Sequence, residues 1–313
     1  MQKFYAIYAD TNSSIDLCAA KDNTCYCFGT NFSFNVGYRI GDYMMTRPRR
    51  GYTDGPFGQI HYQDTGGDGE PLILSHQAPI TSRQYDRVYP LLAAAGIRAI
   101  GIDTPGFGLS DEPDHIPSIE EYATAIPPVL DHLGITQTNI LGHHTGALIA
   151  TEVSLQFPER IRNLIINGPS PFTPEEIVEW NGFVDKFEKG FVHKEDGTHL
   201  SELYARRWQW AEPGTDPSLV TRYVVEQLQG YGPFWYGHNA AFAYDHNVTL
   251  GKIKHRTMIM INTGDIIYEH AKKAHSMRPD FEFCELQGGG IDITDQMPEE
   301  WVAAVTGFIL PKA

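Results

Sequence analysis

From residue 51 to the C-terminus, apolar runs of strand length alternate with longer segments of helical period. No other feature constrains the fold as tightly, because strands joined through helices form a parallel sheet with helices packed on its faces. Strands are expected at residues 59–65, 71–76, 98–103, 139–142, 163–167, 257–262 and 281–286. Helices are expected at residues 81–95, 118–133, from His144 to about 157, and 299–309. Ser118 followed by Glu121 makes a capping box, which satisfies free amides at a helix start. Pro127 and Pro128 then predict a kink or break, since proline removes an amide donor and clashes with the preceding turn.

Two segments depart from the alternation. Residues 1–50 carry aromatic and β-branched residues punctuated by Gly, Asn and Asp, as in CYCFGTNFSFNVGYRIGDY. They predict a β-rich extension whose hairpins add to the core sheet or to a partner subunit, which makes a homodimer an option. Residues 170–250 lose the strand–helix rhythm and are rich in aromatics, among them Trp180, Trp208, Trp210, Trp235, Tyr236 and Phe242. That stretch is expected to be a helical lid, with residues 51–169 and 251–313 as the core. Ligands of open parallel sheets bind at the carboxyl ends of the strands, so a lid inserted there roofs the crevice. Trp210, Trp235 and Tyr236 are candidate substrate contacts, although aromatics serve packing equally well.

The 39 acidic against 24 basic residues give a net charge of −15, which argues against nucleic acid or an anionic membrane as partner. No apolar run approaches the roughly eighteen residues a membrane span needs. MQKFYAIYAD has no apolar stretch of signal-peptide type, so a soluble, cytoplasmic protein is expected. Cys18, Cys25, Cys27 and Cys284 are too few for a disulfide scaffold and lack a second pair at zinc spacing.

The chemistry gathers at strand ends. ILGHHTGALIA has the layout of a strand, a tight turn flanked by Gly142 and Gly146, and a helix, as in a GxSxG nucleophile elbow, with His144 at the tip. SHQAP, Ser75 to Pro79, follows one strand, and IDTPGFGLSD, Ile102 to Asp111, follows the next. Through these motifs the chain from about residue 51 onward resembles the α/β-hydrolase superfamily, nearest to epoxide hydrolases, haloalkane dehalogenases and C–C bond hydrolases. The resemblance implies an α/β fold with a mostly parallel sheet, helices on both faces and a helical lid. It also implies a nucleophile, an acid and a histidine in that chain order.

All three of those positions depart from the pattern. The nucleophile slot holds His144; three residues past Gly264, where the acid is usual, stands Ile267, with Asp265 displaced nearby; seven positions before Pro298, where the histidine is usual, stands Ile291. Isoleucine neither accepts a proton nor orients a base, so the usual relay cannot be assembled. What the resemblance still implies is an oxyanion hole from the amides of Thr145 and Ala78, with Gln77 beside it lining the pocket. Histidine suits proton transfer near neutral pH, and His144 is the expected general base, oriented by Asp265, Asp103 or Asn167. His143 and His76 are expected to be structural.

A small, largely apolar carbonyl compound is the expected substrate, cleaved as an ester or lactone or altered by proton transfer in elimination, isomerisation or cyclisation. Ile267 and Ile291 equally suit a non-catalytic small-molecule binding protein. No cofactor fingerprint is present, neither GxGxxG after the first strand nor GxxxxGK[ST]. His76, His144 and Asp265 could supply three metal ligands, but none lies at a metal spacing, and no metal is expected.

Overall fold

The computed structural model describes residues 47–311 and, ahead of them, the backbone of three short strands. The chain divides into a unit Met1–Met44 and a unit Met45–Ala313. In the first, β1 (Phe4–Ala6), β2 (Leu17–Lys21) and β3 (Thr24–Tyr26) pair antiparallel in that order. Cys27, most of the aromatic segment and the dimer contact expected of it lie outside the described residues.

The second unit is built on an eight-stranded sheet. Its strands are β4 (Arg49–Gly55), β5 (Gly58–Asp64), β6 (Glu70–Ser75), β7 (Ile97–Ile102), β8 (Thr138–His143), β9 (Ile161–Asn167), β10 (Arg256–Asn262) and β11 (Glu282–Leu286). They lie in the order β11-β10-β9-β8-β6-β7-β5-β4. β5 runs antiparallel to both its neighbours, and β6 to β11 are mutually parallel. The chain steps from β6 to β7 on one side, then crosses back to β8 on the other. That reversal opens the crevice in which such sheets bind ligands.

Seven of the eight strands follow the apolar runs. The exception, β4, reads RRGYTDG and is an edge strand with no fully buried residue, so hydrophobicity does not mark it. The central strands are apolar throughout because both faces are covered. Ile73, Ile100, Ile140, Ile166 and Ile259 point to one face, where Ala147, Leu148, Ala150 and Val153 complete a core. Leu72, Leu74, Leu141, Ile165 and Met260 point to the other, against Tyr89, Leu92, Trp301, Val305 and Phe308. Alternate residues of one strand thus feed different cores, each fully buried aliphatic side chain contributing on the order of 1.5–3 kcal/mol.

The helices keep their places with different ends. Residues 81–95 form a 3₁₀ turn, Ser82–Tyr85, and a separate α1 (Tyr89–Ala94) with Pro90 in its first turn. The helix expected over 118–133 is two: α2 (Ile119–Ala123), with the capping box from Ser118 and Glu121 formed, and α3 (Ile126–His132). Pro127 and Pro128 stand in the first turn of α3, where an amide donor is not needed, so the expected break falls just ahead of them, at residues 124–125. α4 (Thr145–Gln156) follows the elbow.

Between β9 and β10 lie α5 (Pro174–Phe183), a π-helical turn (Val184–Lys189), α6 (Thr198–Trp208), α7 (Pro217–Gln229), α8 (Tyr236–Ala243) and α9 (His246–Leu250). Buried charges tie this insertion to the core. Arg222 and Tyr223 on α7 bond Asp295, Arg207 on α6 grips both oxygens of Asp292, and Glu226 accepts from the amide and hydroxyl of Thr81. The chain closes with α10 (Tyr268–Met277), α11 (Ile293–Gln296) and α12 (Pro298–Ile309). Among the described residues no helix is long and apolar enough to cross a membrane.

Candidate active site

β8 delivers the chain to the elbow and α4 carries it away. At the tip His144 has φ 48° and ψ −112°, and among the described residues it is the non-glycine residue with positive φ. Such a conformation costs on the order of 1–3 kcal/mol and persists where the surroundings over-determine it. Here a Cβ added at Gly142 would lie 1.8 Å from the Gly146 carbonyl oxygen, and one added at Gly146 would lie 2.1 Å from that of Ser75. The His144 amide is fixed as well, donating to the Asn167 carbonyl at 2.9 Å.

Asp265 is the residue that the structure brings to the His144 ring, Oδ2 lying 2.9 Å from Nε2. Its Oδ1 accepts from the Ile267 amide at 3.0 Å, and the carboxyl group is fully buried. Burial pushes its pKa up, but the His144 charge and hydrogen bond, with help from His143 and the Ile267 amide, outweigh it and hold the group below its ordinary value. An ionised carboxylate only accepts, so Nε2 of His144 carries the ring proton and Nδ1 the lone pair. The bond to Asp265 is the one hydrogen bond of the ring among the described residues, so Nδ1 has no partner there.

Asp103 is not brought to His144. Its oxygens are occupied by His61 Nδ1 at 2.8 Å and the amides of Ser82 and Leu109 at 2.8 and 3.0 Å, so it pins two loops to β5. Asn167 offers His144 its backbone, while its side-chain oxygen accepts from Trp301 Nε1. His76 donates from Nδ1 to the Gln77 carbonyl and accepts the Thr104 amide at Nε2; burial lowers its pKa, which keeps it neutral for both bonds. His143 points into the core against Gln84, and burial, then the charge of His144, pushes its pKa far down.

His76, His144 and Asp265, the three ligands the sequence could supply, are not available together, because both nitrogens of His76 are taken. His143 takes its place: donor atoms of His143, His144 and Asp265 lie within 4.8 Å of one another, and His143 Nε2 is buried without a partner. These ligand types suit zinc, but a cation there must displace the proton shared by His144 and Asp265.

His144 stands where two lobes of a cavity meet. The larger, of about 140 Å³, is lined by Gln77, Ala78, Leu203, Arg207, Trp210 and Ile291 among others; the smaller, of about 90 Å³, by Thr145, Leu148, Phe172 and Ile267. Both share Trp180, His238 and Ile266. Gln77 also donates to the Ile291 carbonyl at 3.3 Å. The amides of Thr145 and Ala78 bond no acceptor among the described residues, which leaves both free for a ligand oxygen.

Trp235 and Tyr236 line neither lobe. They open α8, whose inward residues are His238, Ala241 and Phe242 at helical spacing, and Trp235 faces a separate cleft beneath the Lys189 ammonium. Conversely, His238, Glu188, Trp180 and Arg207 line the cavity without any motif to announce them. Helical phase along α8 is the signal that could have found His238.

A family model of the alpha/beta hydrolase fold matches residues 70–268, and the chain belongs to that family. Over 130 residues it is 34% identical to a 2-hydroxy-6-oxononadienedioate/2-hydroxy-6-oxononatrienedioate hydrolase of Burkholderia vietnamiensis (strain G4 / LMG 22486), covering 39% of this chain and 45% of that one. Over 207 residues it is 31% identical to a bifunctional epoxide hydrolase 2 of Sus scrofa, covering 55% of this chain and 36% of that one. The matched stretches span less than half of these relatives. Among solved structures, a hydrolase from Pseudomonas aeruginosa PA01 superposes with a TM-score of 0.73 at 19% identity, over 84% of this chain and 99% of that one, a likeness of fold.

Proposed function

We propose that the chain is a hydrolytic enzyme of this fold that cleaves an ester or lactone of a small, largely apolar molecule, with His144 Nδ1 as general base. The observation that carries this is the 2.9 Å bond from His144 Nε2 to the buried Asp265, which fixes the ring and its tautomer and leaves Nδ1 free. That is the base and orienting acid of a hydrolytic relay, with the histidine moved onto the elbow. Water activated by Nδ1 attacks the carbonyl, and the amides of Thr145 and Ala78 receive the charge on its oxygen at the start of α4. The insertion between β9 and β10 acts as the lid, and Gln77, Trp210, Ile267 and Ile291 shape the substrate site.

The hydrolytic relatives favour this reading over a ligand-binding protein without turnover. The test is release of nitrophenolate from short-chain p-nitrophenyl esters by the wild type and by His144→Ala. Wild-type turnover that is lost in the variant is the expected result. Equal turnover by both proteins would overturn it.

A further inference from the structure

A second imidazole–carboxylate pair lines the cavity that His144 enters. His238, on the inward face of α8, lines both lobes, and Glu188 lines the larger one. His238 Nδ1 lies 2.8 Å from Glu188 Oε1. Glu188 comes from the π-helical turn Val184–Lys189, a distortion that gathers at functional sites. Among the described residues no lysine or arginine pairs with it, and its Oε2 is buried with no partner, so its charge falls on His238 alone.

The other charged groups around the cavity are committed elsewhere. Arg207 is paired with Asp292, Arg206 lies over the Phe187 ring, Lys189 lies over Trp235, and Asp265 holds His144. Burial opposes a charge on His238, but the Glu188 carboxylate, the hydrogen bond to it and a hydrogen bond to the Ala78 backbone outweigh it and raise its pKa. With Nδ1–H given to Glu188, the proton on Nε2 is the one that can pass from the ring to a ligand that displaces the Ala78 backbone contact.

We propose that His238, held by Glu188, is the proton donor of this site, giving its Nε2 proton to the leaving oxygen of the substrate. The proposal rests on the assignment of His144 as base. His144 Nδ1 takes a proton from water as the water oxygen bonds the carbonyl carbon, and the carbonyl electron pair moves onto oxygen. When that pair returns, the carbon–oxygen bond to the leaving group breaks with its electrons, and the leaving oxygen takes the His238 proton. His144 then holds one proton more and His238 one fewer; exchange with cavity water restores both, and the sum is ester plus water to acid plus alcohol.

The test compares p-nitrophenyl butyrate, whose leaving group departs unaided, with ethyl butyrate, whose ethoxide needs a proton. His238→Gln is expected to lose about a hundredfold in kcat/KM on ethyl butyrate, and at least about tenfold less than that on the nitrophenyl ester. Equal loss on both would mark a structural role and overturn the proposal alone; silence of the wild type on both esters overturns the hydrolytic assignment and this proposal with it. Glu188→Gln, which keeps the imidazole, is expected to move the alkaline limb of the ethyl butyrate profile to lower pH. Histidine NMR on the whole protein gives a readout independent of turnover: a His238 ring that takes up its proton at the same pH in the wild type and in Glu188→Gln overturns the proposal.

Discussion

Asp265→Asn separates the chemistry of the pair from its structural role. The carboxamide oxygen can keep the 3.0 Å bond from the Ile267 amide. Its NH₂ then faces His144 Nε2, and because an amide nitrogen donates, the imidazole must accept there and carry its proton on Nδ1. The base is blocked while the packing is kept. A charge-assisted bond becomes a neutral one, a loss of about 1 kcal/mol, or roughly 2–4 °C in Tm for a unit of this size. Loss of a positioned base removes about a thousandfold of kcat/KM, equivalent to about 4 kcal/mol at 1.36 kcal/mol per decade. The assay is p-nitrophenyl butyrate turnover beside thermal unfolding. A variant that keeps its rate within about threefold, with the expected change in Tm, would refute the tautomer argument and with it the role of Nδ1. The pH dependence carries a sign too: the folded pKa of Asp265 is depressed, so its contribution is complete above the ordinary carboxylate range and is lost as pH falls through the folded value. Asp265→Asn is expected to remove that acid-side loss.

Gly168→Ala strikes the ring from its other side. Gly168 has φ +76°, and an added Cβ would lie 2.5 Å from His144 Cδ2, so backbone strain of about 1–2 kcal/mol and at least a tenfold fall in kcat/KM are expected; unchanged kinetics would show that the ring is free to move aside. His246 is fully buried, accepts the Ser170 amide at Nδ1, and has its pKa lowered by burial to about 3. Its folded pKa lies below the unfolded one, so the unfolded chain binds the extra proton, and stability falls as pH drops from about 6.5 toward 3, by up to about 1.4 kcal/mol per unit. Urea midpoints between about pH 7.5 and 5.5 are expected to decline in the wild type and to flatten in His246→Gln; parallel slopes would refute this.

Much of the fold was legible because its strands are buried on both faces and read as unbroken apolar runs. β4 was not, since an edge strand of the composition RRGYTDG is marked by hydrogen bonds to β5 and not by burial. The break at Pro127 and Pro128 was legible, and its place just ahead of them follows because the chemistry that breaks a helix interior suits a first turn. At the site, His144 was announced by its glycine neighbours and Asp265 by its place after a strand. Asp103 carried the same signal and went elsewhere, because its partner His61 lies 42 residues away on β5. His238 and Glu188 are 50 residues apart and share no motif, so only tertiary packing joins them.

The elbow also decides how a proton leaves. Fixed by Gly142 and Gly146, by its amide on Asn167 and by a carboxylate on its far nitrogen, His144 cannot swing between two stations as a histidine on a flexible loop can. With His144 as the proposed base, a proton taken at Nδ1 finds a closed door at Nε2, so it must depart through the chamber that holds the substrate. On that proposal turnover and proton exchange share one passage, and any group filling the chamber after the bond is broken also delays the recovery of the base.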